Sequence, residues 1–240
     1  MGWLKPLFSG FFFTIMKVIF YIDGFNLYYG LRTAKNEDPK WNNAYWIDFV
    51  KFFSKFLGPE QELGKVVYFT ATPLDPGKAA RQSELLNVNK ALHPDKFEIV
   101  RGRYLSKRLK CPICKNTYPR PEEKKTDVNI SVRLLGDCML DVTDRVVLVS
   151  ADSDLVPPLQ FVLDHFPSKK IRVMFPPTLN CKEISGLMRK NSLKTIFLEN
   201  NYPKFLDSKL ANEVCINGKT YTIPSKWKNR ILSQGKWTEY

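Results

Sequence analysis

The sequence predicts an α/β fold of three layers, a mostly parallel central sheet with helices on both faces. Two observations predict it. Six apolar runs rich in β-branched and aromatic residues recur along the chain, at 18–22, 65–70, 97–100, 145–150, 170–175 and 194–198. Between them, apolar residues return at helical spacing, and parallel neighbours in a sheet need crossovers of that kind. With 240 residues and 44% hydrophobic content, the chain can bury a sizeable core and fits one domain better than two.

Each element has its own warrant. Met16 to Ile22 is a natural first strand, ending at Asp23-Gly24. Trp46, Ile47, Phe49, Val50, Phe53 and Phe56 mark a helix before the strand at 65–70, and Leu85, Leu86 and Leu92 mark another before 97–100. Residues 104–121 are polar and basic and read as an inserted loop or small hairpin. Val128, Val132, Leu135 and Met139 then give a helix expected to pack through that stripe. After the strand at 145–150, Pro157-Pro158 fits only the opening turn of a helix continued by Leu159, Val162 and Leu163. Asn217-Gly218 is the turn of a two-residue hairpin, and residues 225–240 are expected to fray.

Residues 1–15 contain an apolar run that Lys17 interrupts, with no small-residue cleavage site following, and the run is too short to span a membrane. They read as an extension outside the fold. The expected organisation is that extension, a domain over 16–200 with an insert at 103–122, and an appendage with a hairpin over 201–240.

Lys and Arg number 37 against 24 Asp and Glu, a net charge of +13 that favours a polyanionic partner such as nucleic acid. Residues 101–125 hold nine basic side chains against Glu122 and Glu123, so the charge is concentrated beside the acidic motifs described next. Five scattered cysteines do not make a disulfide framework, which points to a reducing compartment, the cytoplasm by default. Cys111-Pro112-Ile113-Cys114 has the spacing of half a zinc knuckle, but four ligands are needed and no second pair lies nearby, so Zn²⁺ at Cys111 and Cys114 requires distant partners or a second chain. An unmetallated thiol pair is the plainer alternative.

Three segments place aspartate where a strand ends or a helix begins: Asp23-Gly24-Phe25-Asn26, Thr126-Asp127 and Ser150-Ala151-Asp152-Ser153-Asp154. In a parallel sheet the ligand crevice lies outside the carboxyl ends of the strands, where Asp23 and Asp152 sit. Gathered carboxylates repel one another and are commonly held by Mg²⁺ or Mn²⁺. Each motif has a plainer reading: an Asp-Gly turn with Asn26 as cap, Thr126 or Asp127 as a helix cap, and Ser153 or Asp154 as another. Capping leaves Asp152 without a purpose. Packing of Val128, Val132 and Leu135 is expected to leave Asp127 facing the crevice, whereas Asp137, Asp141 and Asp144 read as solvated. Among the aromatics after Asp23, Tyr28 and Tyr29 are candidates to stack on bases, while Trp46 and Phe49 belong to the core.

Together, 21–30, 123–130 and 149–155 resemble, in order, the motifs of the LabA-like branch of the NYN domain family, within the PIN-like nuclease superfamily. The resemblance spans about residues 16–200. It implies a PIN-like, Rossmannoid sheet, a Mg²⁺- or Mn²⁺-dependent ribonuclease, and an acidic site at Asp23, Asp127, Asp152 and Asp154, with Asn26, Ser150 and Ser153 in support. Ala151 departs from the pattern, standing where glycine is usual.

Such an acidic site needs no side-chain nucleophile, since metal ions can activate water for in-line displacement at phosphorus. Lys124, Lys125, Arg103 and Arg108 would hold the backbone of an RNA partner, single-stranded or structured. No membrane partner is implied, and a homo-oligomer or regulatory protein partner stays open. The rival reading is a non-catalytic RNA-binding or regulatory NYN module. A phosphatase of the haloacid-dehalogenase kind ranks last, because Phe25 stands where its second aspartate belongs. The absence of GxxxxGK[ST] and GxGxxG argues against NTPases and dinucleotide enzymes, and DNA is not separated from RNA as substrate.

Overall fold

The structure, a computed structural model, describes residues 15–228, without the side chains of 105–107 and 119–123. The chain opens with β1 (Met16–Asp23), α1 (Gly24–Glu37), α2 (Phe49–Ser54), β2 (Gln61–Thr70), α3 (Pro76–Leu92) and β3 (Phe97–Arg101). A hairpin, β4 (Arg103–Lys110) and β5 (Thr117–Lys124), leads into α4 (Thr126–Met139). Then come β6 (Arg145–Val149), α5 (Val156–His165), β7 (Lys170–Phe175), α6 (Lys182–Lys190), β8 (Thr195–Phe197), α7 (Tyr202–Asp207), β9 (Glu213–Ile216) and β10 (Lys219–Thr222).

All six expected strands form one sheet in the order β3-β2-β1-β6-β7-β8, with every pairing parallel. The chain winds outward one way from β1 and the other way from β6, so the switch point lies between these two strands, and a crevice opens at their carboxyl ends. Both faces are covered. Val18, Phe20 and Ile22 of β1 join one apolar cluster, and Ile19 and Tyr21 join the other, which is the alternation of a strand buried on both sides. Among the described residues no helix is long and apolar enough to cross a membrane.

The first helix was not expected. Asp23 closes β1 and caps α1 at once, and Gly24 is needed there because a Cβ would lie 2.6 Å from the Phe69 carbonyl oxygen. The mixed sequence of α1 carries only a weak apolar stripe, which hides it from periodicity. Helices α6 and α7 were likewise unforeseen, and the helix expected from Trp46 begins only at Phe49, with Trp46 and Ile47 buried in the lead-in.

Helix α4 corrects the expected packing. Val128, Val132 and Met139 are 63%, 66% and 70% exposed, and the buried stripe is Ile130, Leu134 and Cys138. Asp137 is also buried, where the expectation was solvent: Tyr21 Oη donates to its Oδ2 at 2.9 Å and Arg133 Nε donates to the same carboxylate. Asp141 is exposed and pairs with Lys169, and Asp144 accepts from the Lys17 backbone amide at 2.7 Å.

The basic insert is the β4–β5 hairpin, in which Arg103 pairs with Lys124 at the base and Lys110 with Thr117 near the tip. At the other end, Asn217 and Gly218 both take positive φ, the backbone a two-residue hairpin turn requires, between β9 and β10. The expectation of fraying fails for 225–228: Trp227 is buried and stacks on Tyr45 at 5.4 Å. Residues 1–14 and 229–240, which held the rest of the expected extension and frayed end, lie outside the described residues.

Candidate metal centre

The crevice at the β1–β6 switch point gathers one carboxylate from each acidic motif. Oxygens of Asp23, Asp127 and Asp152 lie within 4.8 Å of one another. Asp23 is the last residue of β1, Asp152 caps the short turn Ser153–Leu155 that follows β6, and Asp127 stands in the first turn of α4.

Asp23 is the buried, fixed member. Its Oδ1 accepts from the backbone amides of Phe25 and Asn26, both at 3.0 Å. Its Oδ2 accepts from Asn26 Nδ2 at 2.7 Å and from Ser150 Oγ at 2.9 Å. Burial nevertheless pushes its pKa up, and the Asp152 charge adds to the rise.

Asp127 is the strained member. Burial first, then the charges of Asp152, Asp23 and Asp154, push its pKa up to about 6. Its carboxylate accepts no hydrogen bond from a described residue, and the N-cap position of α4 falls at Lys125, which takes φ 79° and caps nothing with its side chain. Capping therefore does not account for Asp127. It faces the crevice because Asp127, Ile130, Leu134 and Cys138 share one helical face, the opposite of the route the sequence suggested.

Capping does claim Asp152, against the expectation that Ser153 or Asp154 would cap: its Oδ1 accepts from the Asp154 amide at 3.0 Å, and its own amide donates to Ser150 Oγ at 3.1 Å. Asp154 is exposed and outside the three-oxygen cluster, acting on it through its charge on Asp127. Ser153 is half-buried in the same turn. Ala151 is not among the residues with positive φ, so alanine fits the turn; its amide donates to Asn26 Oδ1 at 3.1 Å.

The donor set suits a hard divalent cation. Three carboxylates offer oxygen only, and the charges that act on Asp127 among the described residues are the like charges of Asp152, Asp23 and Asp154. Asp23 has both oxygens doubly engaged, so it can ligate only by giving up one of these bonds, whereas Asp127 is free to do so.

The structure places the remaining candidates as follows. Arg103 and Lys124 pair at the hairpin base and Lys125 links β5 to α4, two residues from Asp127. Arg108, opposite Pro119, stands five residues farther along β4, about 17 Å at the rise of a strand. Cys111 and Cys114 occupy the hairpin tip, where amides of Cys114 and Ile113 lower the Cys111 thiol pKa. No third His, Cys, Asp or Glu ligand joins them among the described residues. Tyr28 packs edge-on against Tyr29 at 5.6 Å and against Tyr45 at 6.1 Å, and Tyr29 carries the Arg32 guanidinium over its ring at 4.6 Å.

One feature escaped the sequence. A cavity of about 400 Å³ begins at Gly24 and Phe25, directly after Asp23, and runs beneath Tyr28 and Tyr29 to Tyr68, Thr70, Gln82 and Trp227. Its walls come from five separate parts of the chain, and only the aromatic density around Tyr28 hinted at it.

No protein-family model matches the chain. It is 24% identical over 184 residues to the 6-hydroxy-3-succinoylpyridine 3-monooxygenase HspA of Pseudomonas putida, covering 62% of this chain. The chain spans 56% of that protein, about half its length. Among solved structures, a protein of unknown function from Vibrio parahaemolyticus superposes with a TM-score of 0.52 at 19% identity, over 78% of this chain and 96% of that one. That likeness supports the three-layer fold.

Proposed function

We propose that the chain is a divalent-metal-dependent endoribonuclease of the NYN/PIN-like type, cutting RNA phosphodiester bonds at Asp23, Asp127 and Asp152. The observation that carries the reading is the convergence of three carboxylates from three distant motifs at the switch point of a parallel sheet. When bound, Mg²⁺ or Mn²⁺ supplies Lewis acidity toward a phosphoryl oxygen and lowers the pKa of water. Asn26 and Ser150 hold Asp23 in one orientation. Asp127, with no hydrogen-bond donor among the described residues, is the carboxylate available to bind the cation or orient the attacking water, and Asp154 adds negative charge at the rim. Arg103, Lys124 and Lys125 at the hairpin base bring basic side chains to the start of α4, suited to phosphates flanking the scissile one.

The test is cleavage of end-labelled single-stranded RNA and matched DNA with Mn²⁺, Mg²⁺ or EDTA, beside Asp127→Asn. Metal-dependent RNA cutting lost in Asp127→Asn supports the reading. Binding without cutting in every condition transfers the protein to the non-catalytic RNA-binding alternative, and cutting unchanged in Asp127→Asn removes the acidic site from it.

The aromatic cavity favours a second reading, chemistry on a small heteroaromatic molecule. The name of the Pseudomonas relative describes a monooxygenase acting on a hydroxypyridine, and the cavity has room for one such ring. Turnover of 6-hydroxy-3-succinoylpyridine by a protein that leaves RNA intact would select this reading.

A further inference from the structure

We infer that the cavity beside the carboxylates is a nucleobase pocket, one that holds the base adjoining the scissile phosphate; the inference rests on the nuclease reading and names its substrate unit.

Three observations carry it. The cavity of about 400 Å³ is lined by rings, Tyr28, Tyr29, Tyr45 and Trp227 among them, and a planar base can lie against such walls. It also contains one buried acceptor without a donor. Gln82 Nε2 donates to Thr70 Oγ1 at 2.8 Å and to the Ala71 carbonyl at 3.4 Å. Gln82 Oε1 is thereby left buried with no donor among the described residues. Gln82 also lines the cavity, so a rotation of its side chain brings this acceptor to a ligand N–H, a group that nucleobases carry on their pairing edges.

The third observation concerns charge and position. Lys78 and Arg81 of α3 line the same cavity, and its other end is Gly24-Phe25, adjoining Asp23. A ring bound against Gln82 thus has cationic groups beside it for one phosphate and the acidic centre adjoining for the next. Lys78 and Arg81 call for an anion on the ring's substituent, which a nucleotide supplies as phosphate and a free ring does not; a succinoylpyridine supplies a carboxylate there, which makes it the rival ligand for the test.

The experiment is calorimetric titration of the full chain in EDTA with the four 5′-nucleoside monophosphates, ribose 5-phosphate and 6-hydroxy-3-succinoylpyridine. At least one mononucleotide is expected to bind about tenfold or more tighter than ribose 5-phosphate. Gln82→Leu, and separately Tyr29→Ala at an exposed ring whose loss leaves the core intact, are each expected to weaken that binding about tenfold. Equal binding of ribose 5-phosphate, no effect of either variant, or binding of 6-hydroxy-3-succinoylpyridine alone overturns the inference. The two readings separate cleanly: RNA cutting without base binding overturns the pocket and leaves the nuclease, whereas base binding by a protein that cuts nothing keeps the pocket and overturns the nuclease.

Discussion

Asn26 Nδ2 donates to Asp23 Oδ2 at 2.7 Å, and the same side chain accepts the Ala151 amide at 3.1 Å through Oδ1. One amide therefore ties the end of β1 to the turn after β6, across the switch point. Ser150 Oγ reinforces the tie by bonding Asp23 and the Asp152 amide. The acidic centre is held from within its own motifs.

Replacing Asn26 by alanine unties both sides. Misplacement of a reacting group by an ångström costs on the order of 100-fold in rate, so Asn26→Ala is expected to lower RNA cleavage by about that factor while circular dichroism stays that of the wild type. Asn26→Asp is expected to do no better, because a carboxylate facing Asp23 adds repulsion where the amide gave a donor. Full activity in either variant would deny Asn26 its positioning role.

Clustered carboxylates make a second expectation. Without a cation, Asp127 is destabilised by burial and by Asp152, Asp23 and Asp154. Asp127→Asn removes one charge and is expected to raise the melting temperature in EDTA by a few degrees, the size of about 1 kcal/mol in a domain this large. Saturating Mn²⁺ or Mg²⁺ at 100 times its dissociation constant is expected to stabilise the wild type by about 2.7 kcal/mol, and Asp127→Asn by much less. Equal metal-induced shifts in the two proteins would place the cation elsewhere.

Much of this was legible in the sequence, for a physical reason: strands buried on both faces, such as β1 and β6, read as continuous apolar runs, and the half-buried edge strands β3 and β8 are short but still rich in β-branched and aromatic residues. Helix α4 shows where legibility stops. Val128-Val132-Leu135-Met139 and Ile130-Leu134-Cys138 are two apolar stripes on one helix, and nothing in the spacing says which meets the sheet. Of the first, Val128, Val132 and Met139 are exposed, while Leu135, half-buried against the same core cluster, packs inwards as expected. Helix α1 was hidden because its cap, Asp23, belongs to the strand before it, and the cavity was hidden because it is assembled from residues more than a hundred positions apart.

Glu98 gives a pH dependence whose sign is fixed. Arg133 donates to it from Nη1 at 2.5 Å and Lys65 from Nζ at 3.0 Å, and the Arg133 bond foremost lowers its pKa below the ordinary 4.5. A carboxyl depressed in the folded state contributes stability that is present above the unfolded value, about 4.3, and lost as pH falls through the lower folded value. Glu98→Gln is thus expected to be less stable than the wild type at pH 7 by about 1 kcal/mol, a modest figure because the carboxylate is partly exposed. Urea midpoints at pH 7 and pH 3 check it: the gap narrows as pH falls from 7 to 3, and a gap of undiminished size would assign the loss to packing.

The basic hairpin predicts a graded salt dependence. Each phosphate neutralised by Lys or Arg contributes about −0.7 to the slope of log affinity against log salt on a single strand. Arg103 is at the hairpin base beside the start of α4, whereas Arg108 is about 17 Å along the arm. A short RNA confined to the crevice touches the first and not the second, and a longer strand touches both. Filter binding in EDTA is therefore expected to show Arg103→Ala lowering the slope for RNA of any length, and Arg108→Ala lowering it only for strands long enough to follow β4 outward. Equal loss from both variants on the shortest RNA would mean that the hairpin folds over the crevice instead of extending the track away from it.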